Sequence, residues 1–138
     1  MCKILIVDDE CFERKTSKII IQNGMQQVDI VGEACNGKEA IRLNEKLNPD
    51  VILMDIKMPI LDGLRAAEII RNRDKNKVII FVSACEDFYC VQKAIKIGAN
   101  DYLLKSTRTE QLVETIRRHM YRNREYFMDK AMEIHCQG

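Results

Sequence analysis

Lys3-Ile4-Leu5-Ile6-Val7 runs straight into the acid pair Asp8-Asp9, and the same pattern recurs three times along the chain. Val51-Ile52-Leu53-Met54 ends in Asp55, Val78-Ile79-Ile80-Phe81-Val82 in Ser83, and Asp101-Tyr102-Leu103-Leu104 in Lys105. Apolar runs of this length, separated by helix-like stretches, predict strands buried on both faces of a parallel sheet. In an open α/β sheet, ligands bind outside the carboxyl ends of the strands. Three carboxylates, a hydroxyl and an ammonium are therefore expected along one edge of one sheet. That donor set suits a divalent cation and a phosphoryl group.

The segments between these signals complete an alternating pattern. Glu10 to Asn23 has helical periodicity, and Gly24 is placed for a left-handed C-terminal cap. Val28 to Val31 predicts a short strand, and Asn36-Gly37 a turn into a second helix ending near Leu47. Asn48-Pro49-Asp50 breaks the chain before the Val51 strand. Pro59 and Asp62-Gly63 lie in the loop before a third helix, which runs to about Asn72. A fourth helix is expected from Asp87 to Ile97, stopped by Gly98, and a long terminal helix from about Thr109. Five strands alternating with five helices imply a doubly wound parallel sheet.

A length of 138 residues indicates one domain with a substantial core, and 46% hydrophobic with 31% charged residues is a globular composition. A formal net charge of +1 gives no general attraction to nucleic acid or to an acidic membrane. The longest apolar runs are of strand length, well short of the ~20 residues that span a bilayer. Met1-Cys2-Lys3 enters a strand without signal-peptide architecture, so a cytoplasmic location is expected. The six cysteines form no Cys-x-x-Cys pair, and His119 and His135 add no metal-ligand spacing. They are expected to be small, buried or half-buried thiols, with Cys85 notable for lying two residues beyond Ser83.

Leu112, Val113, Ile116 and Met120 form a core-facing stripe on the terminal helix, placing a compact domain at residues 1–120. Residues 121–138 contain no Pro and no Gly before the last position, and are expected to extend this helix or to act as a connector. Such an extension would pack on a partner, a second copy included, although Asn123 and Lys130 interrupt any strict heptad. The Arg117, Arg118, Arg122 and Arg124 cluster is flanked by Glu114, Glu125 and Asp129, which describes a charged helix face and not a nucleic-acid footprint.

Magnesium takes oxygen ligands, usually one or two carboxylates with waters and phosphate oxygens, and Asp8, Asp9 and Asp55 can supply them. An aspartate is also a nucleophile toward phosphorus, forming an acyl phosphate. Crowded acids need a cation or a lysine between them, and Lys105 is suited to pair with Asp55 or with phosphoryl oxygens. Ser83 can donate to the same oxygens. Phosphoryl transfer needs chiefly positioning and charge neutralisation, so this short set suffices.

Across residues 2 to 120 the chain resembles a two-component response-regulator receiver domain. The resemblance rests on Ile6-Val7-Asp8-Asp9-Glu10, on Met54-Asp55-Ile56-Lys57-Met58-Pro59-Ile60-Leu61-Asp62-Gly63, on Val82-Ser83-Ala84, and on the run from Ala94 to Lys105. It implies a flavodoxin-like fold with strand order 2-1-3-4-5. It further implies that Asp55 accepts a phosphoryl group from the phosphohistidine of a sensor histidine kinase, a signalling and not an enzymatic role. Asp8, Asp9 and Asp55, with the backbone carbonyl of Lys57, would organise Mg²⁺, and Ser83 and Lys105 would bind the phosphoryl group. Ser83 and Tyr102 would form the switch, acting on a surface of the fourth helix, fifth strand and fifth helix that serves output or homodimer contacts. The Asp87-Phe88 and Gln92-Lys93-Ala94 stretch is similar to receivers that precede helix-turn-helix transcription factors.

One departure concerns position 106, where the family usually has a proline joined by a cis bond and this chain has Ser106. A non-proline cis bond costs ~2.5–4 kcal/mol, so Ser106 is expected either strained in cis or relaxed to trans, and a trans bond is one that can shift Lys105 or the start of the last helix. Lys57 stands two residues beyond Asp55, a position that the resemblance places beside the route of attacking water, so it is expected either to reach over the phosphoryl group and slow hydrolysis or to be a solvated loop lysine. A phosphatase of the haloacid dehalogenase type would want an aspartate at that same position, so Lys57 argues against it. A nucleotide-binding module would want a Gly-rich loop after the first strand, and there is none. An interaction domain independent of phosphorylation is the remaining rival, since Ser106 favours it and the full acidic set opposes it.

Overall fold

The computed structural model describes residues 1–120, so the expected helical extension over 121–138 lies outside the described residues. Elements alternate in chain order: β1 (Cys2–Val7), α1 (Cys11–Gly24), β2 (Val28–Ala34), α2 (Gly37–Leu47), β3 (Val51–Met54), α3 (Gly63–Arg73), β4 (Val78–Ser83), α4 (Phe88–Ile97) and β5 (Asp101–Leu104). A 3₁₀ turn at Lys105–Thr107 leads into α5, helical over residues 108–120. The strands form one parallel sheet in the order β2-β1-β3-β4-β5, the expected flavodoxin-like arrangement.

Alternation along the strands divides the core in two. Leu5, Val7, Ile52, Met54, Ile79 and Phe81 face α2, α3 and α4, where they meet Ala40, Leu64, Ala67, Ile70 and Ala94. Ile4, Ile6, Val51, Leu53, Val78 and Ile80 face the other side, packing with Ile21 of α1 and with Leu112 and Ile116 of α5. Every residue of β3 and β4 is buried, so truncating one such Ile or Leu to Ala costs about 2–5 kcal/mol.

Register then carries sequence position into space. Val7 pairs with Met54, so Asp8 and Asp55 leave the sheet side by side. Ser83 pairs with Leu104, which sets Lys105 just past the level of Ser83. Between β1 and β3 the chain turns toward opposite edges of the sheet, opening the crevice where such folds bind ligands.

Helix entries follow the sequence. Asn36, Asp62 and Asp87 cap α2, α3 and α4 by accepting from the backbone N–H of Glu39, Arg65 and Cys90. Gly98 ends α4 in the left-handed conformation at φ 89°.

Three expectations change, the first being that Cys11 and Cys35 are exposed and not buried or half-buried thiols. Gly24 stays within α1, and the left-handed residue is Gln27 at φ 61°. A Cβ on Gly24 would sit 2.6 Å from Val113 Cγ2, so the glycine serves the packing of α1 against α5 and not a cap. Strand β2 reaches Ala34 rather than Val31, because the register shifts where Ile4 pairs with Ile30 and Leu5 with Gly32, leaving Val31 as a bulge. Among the described residues no helix is long and apolar enough to cross a membrane.

Candidate functional site

The crevice beyond Val7 and Met54 gathers the carboxylates of Asp8, Asp9 and Asp55, whose oxygens lie within 4.8 Å of one another. Asp8 and Asp55 are buried, while Asp9 faces solvent at the mouth. Each buried acid is anchored through one oxygen. Asp8 Oδ1 accepts from Glu10 N at 2.9 Å, and Asp55 Oδ1 from Ile56 N at 2.8 Å. Their other oxygens meet at Lys105, whose Nζ donates to Asp8 Oδ2 at 2.8 Å and Asp55 Oδ2 at 3.3 Å.

Two buried acids share this one ammonium, and Asp55 remains harder to ionise than an ordinary carboxyl. Burial, followed by the charge of Asp8, raises its carboxyl from the usual 3.8 to about 6, against the opposing pull of Lys105 and the Ile56 N–H. Burial alone would lower the Lys105 ammonium, but the hydrogen bond to Asp8 and the charges of Asp55 and Asp8 outweigh it and hold the ammonium above its ordinary value. An all-oxygen cluster with a surplus of charge fits a hard divalent cation, which would stabilise the ionised form of Asp55.

The Lys105–Ser106 bond is trans, as is every described peptide bond, and Lys105 still reaches both acids. Of the two alternatives for Ser106, the bond takes the relaxed one, and it leaves Lys105 within reach of both carboxylates.

Ser83 is buried, and its Oγ accepts from Cys85 N at 3.1 Å. Half-buried Tyr102 packs against Phe81, with ring centroids 6.1 Å apart, and donates its hydroxyl to the Cys85 carbonyl at 2.6 Å. Both of the switch residues named from the sequence therefore hold the loop between β4 and α4. Lys57 is exposed and lines an open groove with Asp9, Asp62, Asp87 and Tyr89.

Several supporting residues escaped the sequence reading. A Cβ on Gly63 would lie 1.7 Å from the Asp55 carbonyl oxygen, and Gly63 N donates to the Ile56 carbonyl at 2.7 Å. Only glycine lets the start of α3 fold back onto the backbone of Asp55; Asp62-Gly63 signalled the turn but not this approach. Within the same loop Ile60 is exposed at φ 69°, a conformation that costs a β-branched residue of order ~1–3 kcal/mol. Arg14 also supports the site, donating to the Asp8 carbonyl at 2.8 Å. Finally, Cys85 and Cys90 meet beside Asp87, a grouping that the Cys-x-x-Cys criterion passes over.

An open parallel sheet with an acidic, lysine-bridged crevice at its switch point defines an α/β protein of the flavodoxin-like class. Comparison with known proteins refines this. The model of the response regulator receiver domain matches residues 4–117. The transcriptional regulatory protein YdfI of Bacillus subtilis is 42% identical over 116 residues, 84% of this chain and 54% of that protein. The chemotaxis protein CheY of Thermotoga maritima is 40% identical over 114 residues, 83% of this chain and 93% of that protein. The crystal structure of the response regulator domain of Thermotoga maritima CheB superposes with a TM-score of 0.80 at 32% identity, covering 88% of this chain and 97% of that one. A LuxR-family DNA-binding response regulator from Staphylococcus aureus gives a TM-score of 0.81 at 29% identity, covering 86% and 98%. The chain belongs to the response regulator receiver domain family of two-component signalling. It spans about half of YdfI and nearly all of CheY, so family membership leaves the output open.

Proposed function

We propose that the protein is a phosphorylation-activated switch in which Asp55 accepts a phosphoryl group from the phosphohistidine of a sensor histidine kinase. The observation that carries this reading is Lys105 bridging Asp8 and Asp55, with a third acid, Asp9, at the mouth of the crevice. Asp55 is ionised for the most part at neutral pH, and its raised pKa makes the carboxylate a better nucleophile than an ordinary one. A carboxylate oxygen attacks phosphorus, the bond from phosphorus to imidazole nitrogen breaks, and the histidine leaves with its electron pair. Asp8, Asp9 and Asp55, with the Lys57 carbonyl, would hold Mg²⁺, which when bound neutralises phosphoryl charge. Lys105 exchanges its carboxylate partner for a phosphoryl oxygen, and Ser83 releases its contact with Cys85 N to donate to another.

Moving Ser83 disturbs the loop to which Tyr102 is tied, and so carries a local charge change to α4, β5 and α5. That face serves as the output or homodimer surface. The protein acts in the cytoplasm as the receiver part of a transcriptional regulator, a reading supported by the likeness to YdfI and to the LuxR-family regulator. It makes no direct nucleic-acid or membrane contact through this segment.

The test is intact-protein mass after incubation with Mg²⁺ and a small-molecule phosphodonor. Wild type is expected to gain one phosphoryl group and Asp55→Asn none. A folded, Mg²⁺-bound wild type that gains no mass would reject the switch in favour of an interaction domain independent of phosphorylation.

A further inference from the structure

We infer that Cys85, Asp87 and Cys90 form a binding site for a thiophilic divalent cation of the zinc type, separate from the all-oxygen cluster of Asp8, Asp9 and Asp55. The chain leaves β4 at Ser83 and begins α4 at Phe88, so a four-residue loop brings Cys85 back over the first turn of the helix. Asp87 caps that helix through Oδ1, which accepts from Cys90 N at 2.8 Å. Its Oδ2 is thereby aimed at Cys85 Sγ, 3.2 Å away. Cys90 is the third residue of α4, and its side chain points back toward the cap, where its Sγ lies 3.0 Å from Cys85 Sγ. Two sulfurs and one carboxylate oxygen thus converge within 4.8 Å of one another.

That donor set is the zinc set. Tetrahedral zinc holds sulfur at ~2.3 Å and carboxylate oxygen at ~2.0–2.2 Å, which separates two sulfurs by about 3.8 Å. Starting from 3.0 Å, the pair has to open by less than about 1 Å, within the reach of side-chain rotation. Cys90 is buried, Cys85 is half-buried and Asp87 is exposed, so one side of the cluster stays open for a fourth ligand from solvent.

A cation explains the cluster better than a disulfide does. A metal ion displaces thiol protons directly and neutralises the charge that burial resists. On binding, both thiols lose their protons to solvent, two metal–sulfur bonds and one metal–oxygen bond form, and nothing is oxidised or reduced. A disulfide would also leave Asp87 Oδ2 without the role its position suggests. An ion on Cys85 would further pin the loop that holds Ser83 and Tyr102, a consequence that rests on the switch proposed above.

The binding itself is tested without phosphorylation. The reduced, full 138-residue chain is titrated with Co²⁺ in saturating Mg²⁺, which occupies the all-oxygen cluster. One equivalent of Co²⁺ is expected to produce thiolate-to-cobalt charge-transfer absorption, which oxygen ligands cannot give, and Zn²⁺ is expected to abolish it. Cys85→Ser and Cys90→Ser should each remove most of the band. Asp87→Asn retains a good helix cap and should weaken Zn²⁺ binding at least ~10-fold with an unchanged melting temperature. Three outcomes overturn the proposal: no band in reduced wild type, a band that persists in the Cys85→Ser/Cys90→Ser double variant, or a two-hydrogen mass loss in air from a pair that binds no cobalt when reduced. Loss of phosphoryl acceptance in the Asp55 assay leaves this readout untouched, so the two readings fail separately.

Discussion

At the amino ends of β3, β4 and β5 the Arg71 guanidinium and the Lys77 ammonium are buried among oxygen acceptors, whereas at the carboxyl ends Asp8 and Asp55 are buried around a single ammonium. Arg71 donates to the carbonyls of Asp74, Lys75 and Lys77 and, at 2.7 Å, to Asn100 Oδ1. Asn100 Oδ1 in turn accepts from Ile79 N at 2.9 Å, which stitches the guanidinium to β4. Lys77 donates to the Pro49 carbonyl and to Asn48 Oδ1, with the Asp74 carboxylate 3.7 Å away. Burial lowers both cations from their ordinary values and Asp74 opposes the shift. At the carboxyl end, burial and then the neighbouring charge of Asp8 lift Asp55 to about 6. Hydrogen bonds that close among protein groups hold the fold together. Carboxylates gathered at a crevice mouth are a donor set that suits a hard divalent cation.

The strongest way to break this contrast is at the closed end. Arg71→Met strips donors from three carbonyls and from Asn100, and should lower stability by about 3 kcal/mol or more. Urea unfolding measures the loss, while phosphoryl acceptance per folded molecule should be unchanged. An equally stable variant would remove the distinction between the two ends.

At the open end the expected effect is on rate. Lys105→Met should slow phosphoryl acceptance ~10²-fold by removing the donor aimed at the developing charge, as followed by intact mass against time. Stability without divalent cation should fall as well, because two buried carboxylates lose their shared ammonium, and saturating Mg²⁺ should restore part of it.

A smaller effect concerns stability and pH. Between the unfolded carboxyl value of 3.8 and the native value of about 6, the folded protein holds more protons at Asp55 than the unfolded chain does. Stability therefore falls as pH rises through that window and stays lower above it. Asp55→Asn should abolish this dependence and gain about 1–2 kcal/mol at pH 7 without divalent cation, less than the rise from 3.8 to about 6 alone would give, because the amide loses its charge on Lys105. Saturating Mg²⁺ should narrow the gap by stabilising wild type. Thermal melts at pH 4 and 7, with and without Mg²⁺, measure both. A melting temperature of Asp55→Asn below that of wild type at pH 7 in chelator would contradict the assignment of surplus charge.

Least in size is the contribution of Lys57. It is exposed, so Lys57→Ala should speed loss of the phosphoryl group only about 2- to 5-fold, the rate equivalent of a surface ion pair. An unchanged dephosphorylation rate would reduce Lys57 to a solvated loop residue.

Much of the acidic site was legible because a parallel register maps strand ends onto one edge. Asp8, Asp55, Ser83 and Lys105 each follow an apolar run, and pairing of Val7 with Met54 and of Ser83 with Leu104 sets them at one level. The thiol cluster was not legible. Cys85 follows a strand exit and Cys90 lies inside a helix, so neither a two-residue nor a 3.6-residue period relates them; the turn and the Asp87 cap do. Gly24 misled for a similar reason, since its need is space for Val113 and not backbone freedom.

The sequence by itself determined the order of the elements, the buried strands and the residue at each strand end. Run length, side-chain alternation and caps such as Asn36 and Asp62 are local properties, which neighbouring residues express without the rest of the fold. Only the tertiary structure decided that Lys105 reaches Asp8 and Asp55 across a trans bond, that Gly63 lies against Asp55, and that Arg71 and Lys77 are enclosed by protein acceptors while Asp8 and Asp55 share a single ammonium. Those outcomes depend on distances between groups far apart in the chain, and on the burial and charge that arise only once the sheet and both helical layers have packed.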